Sequence, residues 1–169
     1  MLRSGNRAAV LLAAGALAAS CIHYGFAGGG LPANIKSIAV LPFENETPAP
    51  ALQQELHDRL RQDLEGRLGL RDAVEARADA VVRGRILAYD PDIPVAYSAD
   101  PSQSTAATRR RLRVTIDVEI VDQTKNRTLW SRKGLAAEAD YNERAEDDGR
   151  RQALKKIVDD IVAGAQSQW

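Results

Sequence analysis

The stretch 109-RRRLRVTIDVEIVD-122 decides the fold. Leu112, Val114, Ile116, Val118 and Ile120 fall on one side of an extended chain, and Arg111, Arg113, Thr115, Asp117 and Glu119 on the other. Successive side chains of a strand point to opposite faces, so this alternation predicts one dry face and one wet face. Such a strand needs apolar cover on one side only. The turn QTKNR follows, then 128-TLWSRKGLA-136, and the pair reads as an antiparallel hairpin. Its register, and therefore the side on which Trp130 lies, is open at this level.

Upstream, 80-AVVRGRILAY-89 predicts another strand, with Val82, Ile86 and Ala88 facing the core and Arg83, Arg85 and Tyr89 turned away. Asp90 to Thr108 is rich in turn formers and longer than most connections. Residues 35-IKSIAVLPF-43 form the first strand; apolar residues on both faces of 38 to 41 suit a central position, and Pro42 ends it. ENETPAP then makes a polar turn.

Two helices complete the pattern. Leu52, Leu56, Leu60, Leu64 and Leu68 recur every four residues, one stripe of a helix from about Ala49 to Leu68 that Gly66 and Gly69 bring to an end. Leu154, Ile157, Val158, Ile161, Val162 and Ala165 mark the apolar face of a second, from about Asn142 to Gln166, where Asp140 to Glu143 resembles a capping box. The order β-α-β-β-β-α, with one stripe per helix, predicts an α+β two-layer sandwich. Two helices should cover one face of a four-stranded mixed sheet whose other face is exposed.

The amino terminus carries a different signal. Arg3 and Arg7 precede the uncharged run from Ala8 to Ala19. That run is too short to span a bilayer, which takes roughly 20 apolar residues, but it suits a secretory signal over 1–20. Cleavage after Ser20 would leave Cys21, the single cysteine of the chain, at the amino terminus. Ala18-Ala19-Ser20-Cys21 resembles a bacterial lipobox, with Ala at the position where Leu is common. A thiol there can take a diacylglyceryl thioether and fatty-acyl chains such as palmitate, each buried CH₂ adding about 0.8 kcal/mol of membrane affinity. An unpaired cysteine is otherwise a liability in an exported chain. Ile22 after Cys21 favours the outer membrane by analogy with the sorting rule of enteric bacteria. Residues 21–34, with Gly28 to Gly30, read as a lipidated tether into a single domain over 35–169.

Composition narrows the function. The chain has 23 Lys and Arg against 23 Asp and Glu, and loss of Arg3 and Arg7 leaves it slightly acidic. That argues against a nucleic-acid partner, which needs a strong basic field. The two histidines are His23, beside Cys21, and His57, on a helix surface. No zinc-ligand spacing and no G-x-S-x-G motif occurs. Neither an enzyme nor a cofactor or metal site is expected. The salient polar feature is basic: Arg109, Arg110, Arg111 and Arg113 enter the long strand, and Arg132 and Lys133 lie on its partner. Arginine forks bind phosphate and carboxylate bidentately, so a cluster on an open face could hold an anionic lipid head group. The alternative is a solvated face whose charges guard the sheet from aggregation, with Asp117 and Glu119 partly neutralising it.

Together these segments resemble one family, the lipopolysaccharide-assembly lipoproteins (LptE). The matching pieces are CIHYGFAGGGLPANIKSIAVLPFENET, the leucine helix, ADAVVRGRILAYD, RLRVTIDVEIVD, RTLWS and RRQALKKIVDDIV. IAVLPFEN alone also resembles strands of curli-secretion lipoproteins and of the amino-terminal domain of TolB. The resemblance implies a non-enzymatic outer-membrane lipoprotein that plugs and helps assemble the LptD β-barrel and assists lipopolysaccharide transport. Its partners would be LptD, lipopolysaccharide and the membrane lipid around an acylated Cys21, with the domain on the periplasmic side or in the barrel lumen. The rivals are a pore-forming secretion lipoprotein of the curli type, for which Asp90 to Thr108 is too polar and proline-rich a spanning hairpin, and a periplasmic scaffold without lipid ligand.

Overall fold

The leucines of the first helix and the dry face of the long strand meet in one core. The computed structural model describes residues 31–93 and 109–167, and within them the chain forms six strands and two α-helices. In order these are β1 (Ser37–Val40), β2 (Glu44–Asn45), α1 (Ala51–Leu68), β3 (Arg71–Asp72), β4 (Ala80–Ile93), β5 (Arg109–Asp122), β6 (Arg127–Asn142) and α2 (Glu146–Ser167). A single 3₁₀ turn, Glu75–Arg77, precedes β4. The sheet runs β3-β1-β4-β5-β6, with β2 continuing along β4 beyond β1. β1 pairs in parallel with β3 and with β4, and β2 with β4, whereas β4-β5 and β5-β6 are antiparallel. The two-layer α+β architecture is therefore the expected one, with six strands in place of four. The extra two, β2 and β3, have two residues each, too short for any periodicity to betray them.

Local chemistry accounts for each element. Pro42 interrupts the first strand, and pairing resumes when Glu46 N–H donates to Ile86 O at 3.0 Å. The polar turn then builds the start of α1: Asn45 Oδ1 accepts from Thr47 N–H at 3.0 Å and from its hydroxyl at 2.7 Å, while Asn45 Nδ2 donates to Ala49 O at 3.0 Å. Gly69, at φ 66°, closes the helix with its N–H on Glu65 O. Leu52, Leu56, Leu60 and Leu64 are buried against Ile38, Val40, Phe43 and Val82 in the same core as the α2 stripe and the dry face of β5. Arg150 of α2 grips Glu55 of α1 through Nε and Nη2 at 2.9–3.2 Å, and Arg67 of α1 reaches Asp159 of α2 at 2.6 Å.

Two glycines let layers approach where a Cβ could not fit. A Cβ on Gly84 would lie 2.1 Å from Asp117 O and 2.6 Å from Phe43 Cε1, so the Phe43 ring occupies the space above β4. A Cβ on Gly164 would lie 2.3–2.5 Å from the Trp130 indole. Trp130 thus turns to the helix side, opposite Ile120.

Three expectations are corrected. A register shift between Ile86 and Ala88 reverses the alternation, so Tyr89 lies on the core side opposite Val114 and Ala88 does not. The last strand runs to Asn142 instead of ending near Ala136, because Gly134, at φ 63°, forms a bulge that hides the period. The second helix consequently begins at Glu146, and Asp140 and Asn142 belong to the strand, not to a capping box at the helix start.

Candidate functional site

The open face of the sheet is the site built from the alternation of β5. Register sets its chemistry. Arg83 stands opposite Glu119, Arg85 opposite Asp117, Arg113 opposite Glu138 and Arg111 opposite Asp140. Each pair closes. Arg83 Nε donates to Glu119 at 2.6 Å; Arg85 reaches Asp117 at 3.3 Å and Glu46 at 3.2 Å. Arg111 forks onto Asp140 at 2.5 and 3.1 Å, with Glu138 3.6 Å away, and Arg113 Nε donates to Glu138 at 2.8 Å. Asp140 holds the Arg111 guanidinium above its ordinary range by hydrogen bonding and charge. All these side chains are solvated, so each pair contributes at most about 1 kcal/mol. Their collective effect is a lattice of cross-strand ion pairs, wet but close to neutral.

The six basic candidates are distributed unevenly. Arg111 and Arg113 lie on this face. Arg110 pairs with Tyr141 on the opposite side of the sheet and binds Asp92 and, at 3.0 Å, Glu143. Of Arg109 only the backbone is described, opposite Asn142. Arg132 stands opposite Val118, so it too belongs to the helix side, although exposed. Lys133 joins Glu44, Arg83, Arg85, Asp117, Glu119 and Ser131 around a shallow open pocket of about 350 Å³ on the wet face. It makes no ion pair among the described residues. Beside it, Asp117 Oδ1 accepts the Gly134 N–H at 2.8 Å and fastens the bulge. Reading the sequence alone missed Glu138 and Asp140, the carboxylates that neutralise Arg113 and Arg111. Their signal, alternation with Ala137 and Ala139, was present but lay beyond the point where the bulge appears to end the strand.

Away from this face, His57 lies half-buried on α1 with its Nδ1 unpartnered. No three His, Cys, Asp or Glu side chains among the described residues converge as a metal site. Cys21, the tether up to Gly30 and the connection over 94–108 lie outside the described residues.

Comparison with known proteins places this geometry. The fold is shared with the dodecamer of a PelC variant from Paraburkholderia phytofirmans, 15% identical over 84% of this chain and 95% of that one, at a TM-score of 0.54. Protein XCC0632 from Xanthomonas campestris is 11% identical over 81% of this chain and 89% of its own, at 0.52. The hypothetical protein CT253 from Chlamydia trachomatis is 13% identical over 78% and 98%, at 0.50. Identities this low speak for the fold alone. No curated protein matches the sequence. The sequence model of a lipopolysaccharide-assembly family does match, over residues 35–163, from β1 to the last turns of α2. The chain belongs to the LptE lipopolysaccharide-assembly family.

Proposed function

We propose that this protein is an outer-membrane lipoprotein, anchored by acyl chains on Cys21, that occupies the lumen of an LptD β-barrel and assists lipopolysaccharide insertion without a covalent step. Membership of the lipopolysaccharide-assembly family supports the process. The observation that carries the plug is the self-neutralised wet face. A barrel interior is polar and water-filled, and a surface whose arginines are paired with carboxylates can sit there with Lys133 as its one unpaired cation among those named. No helix of the described residues is long and apolar enough to cross a membrane, which suits a domain held by a lipid.

On this reading the anionic head group meets Lys133 first, at the shallow pocket, and then Arg113 and Arg111 by competing with their carboxylate partners for the guanidinium donors. Those partners lower the net pull on an anion, so the contact is adjustable and weak, as a transfer route requires. The experiment is purification of the native acylated chain from membranes. A single large β-barrel companion is the expected result; a homo-oligomeric ring would overturn the plug in favour of a secretion pore. Lys133→Glu together with Arg113→Gln should weaken capture of lipopolysaccharide while the circular dichroism spectrum is unchanged. Undiminished capture removes these residues from the route.

A further inference from the structure

The arginines of the wet face are paired, whereas, among the described residues, four cations at one end of the sheet are not. At that end β1 and β4 begin, and β5 turns into β6. Lys36, Arg71, Arg77 and Lys125 gather there, all exposed, and none makes an ion pair among the described residues. The neighbouring carboxylates are occupied. Asp79 accepts the N–H groups of Lys36 and Ser37 at 3.0 and 2.9 Å and the Ser37 hydroxyl at 2.8 Å, with Arg71 near enough to steady its charge. Asp122 is buried; its Oδ1 accepts from Thr124 N–H, the Thr124 hydroxyl and Lys125 N–H, and its Oδ2 is buried without a hydrogen-bond partner, out of reach of solvent. Arg127 lies 3.9 Å from Asp122, and Asp72 pairs with Arg61 at 3.7 Å. Glu75 is the remaining acid.

Two further features converge on the same end. Val74, 58% exposed, is the one large hydrophobic side chain exposed among the described residues. It lies near the start of the strap of residues 73–79, which crosses the outer face of β1, where Ala78 packs on Ala39 and Val81. Gln123 of the β5-β6 turn holds that strap by donating to Glu75 O at 2.8 Å and Ala78 O at 3.1 Å. The chain also enters here: Asn34 donates to Thr124 of the same turn at 3.3 Å, and Ile35 is buried. Cys21 lies 13 residues before Asn34 in sequence. A chain of that length spans at most about 45 Å.

We infer that this end, Val74 with Lys36, Arg71, Arg77 and Lys125, rests on an anionic phospholipid surface. Val74 enters the head-group layer and the four cations face lipid phosphates. The occupant is a bilayer and not a folded partner. A stable protein interface buries roughly 800 Å² on each side around a packed core, whereas this end offers one exposed valine and dispersed cations. Basic residues close to an anionic leaflet attract it additively, and a small apolar contact adds to that. The inference deepens the anchored-plug reading and rests on it: this end projects from the periplasmic mouth of the barrel, where the tether brings it to the surface.

The test uses the mature acylated chain in vesicles of phosphatidylcholine alone, or with about a third phosphatidylglycerol. An acylated Cys21 has no free thiol, so Val74→Cys creates a single site for an environment-sensitive dye. Asn142→Cys, exposed at the opposite end of the sheet, is the control. Dye at position 74 should be quenched by chain-brominated lipid in the anionic vesicles, and dye at 142 should not. Lys36→Glu with Lys125→Glu should shift the equilibrium between surface-bound and free end about fivefold per charge towards the free form and so diminish that quenching, as should added salt. Absent quenching at 74, or equal quenching at both positions, overturns the inference. The mass of the amino terminus separates the two readings. If it shows no acyl chain, the anchor fails on its own. The same dye measurement, made with Cys21→Ser, then decides the surface: salt-sensitive quenching at 74 upholds it and none overturns it.

Discussion

Replacing Gly164 and Gly66 by alanine tests the packing of Trp130 against α2. Both glycines lie within helices, close to a helix end. Alanine in a helix is favoured over glycine by about 0.8–1 kcal/mol, so propensity alone stabilises both variants. Around Gly66 a Cβ would meet nothing within 4 Å, and the full propensity gain should appear. At Gly164 the Cβ would fall 2.3–2.5 Å from three atoms of the Trp130 indole, a distance no relaxed contact allows. The indole is wedged between Ile120 of β5 and the helix, so relief requires a rotamer change or a shift of α2. Overpacking of this kind costs about 1–3 kcal/mol. Gly164→Ala should therefore be neutral to destabilising by about 2 kcal/mol, while Gly66→Ala gains nearly 1. The two should differ by about 1–3 kcal/mol, some 3–10 °C in melting temperature for a domain of this size. Urea unfolding followed by helical circular dichroism measures both, and Trp130 fluorescence should shift in Gly164→Ala alone. Equal stabilisation by the two substitutions would refute the stacking of Trp130 on the helix.

Other outcomes follow from the same geometry. Gly84→Ala should cost about 3 kcal/mol or more, because the obstacle at 2.1 Å is the Asp117 carbonyl; adding Phe43→Ala should not rescue it, and denaturant midpoints decide. Asp79→Ala removes the acceptor for two backbone N–H groups and a hydroxyl and should cost about 2 kcal/mol at neutral pH. These hydrogen bonds, led by that from Lys36, hold the Asp79 carboxyl below its usual 3.8. Its contribution is thus complete above that value and is lost as pH falls through the lower folded value, so wild type and variant should converge in acid. Gly134→Ala should cost about 1 kcal/mol, since its φ of 63° suits glycine and its N–H is tied to Asp117. Cys21→Ala should abolish incorporation of labelled palmitate and release the chain from washed membranes; retained label would end the anchor proposal.

Two-layer architecture was legible because it rests on periods. The alternation of β5 and the four-residue leucine repeat of α1 each state which side is dry, and burial follows directly from that. Elements of two residues, and elements in which a bulge resets the period, carry no such mark. Hence β2, β3, the inward Tyr89 and the outer half of β6 emerged with the structure. The arginine cluster follows the same division. That Arg111 and Arg113 lie on a wet face was readable from their neighbours. That Arg110 does not share it follows from the same alternation, since it has the parity of Leu112, whereas the side on which Arg132 lies depends on the register and on the bulge at Gly134.

The sequence by itself determined the layers, the dry and wet faces of the sheet and the family, because residue type repeated at a fixed interval is local information. Only the tertiary structure decided which charges meet. It set Glu138 and Asp140 opposite Arg113 and Arg111 and left Lys36, Arg71, Arg77 and Lys125 unpaired beside Val74. Whether an exposed charge is free or neutralised depends on what lies within a few ångströms of it. Between strands that distance is set by pairing register, which residues far apart in the chain settle together.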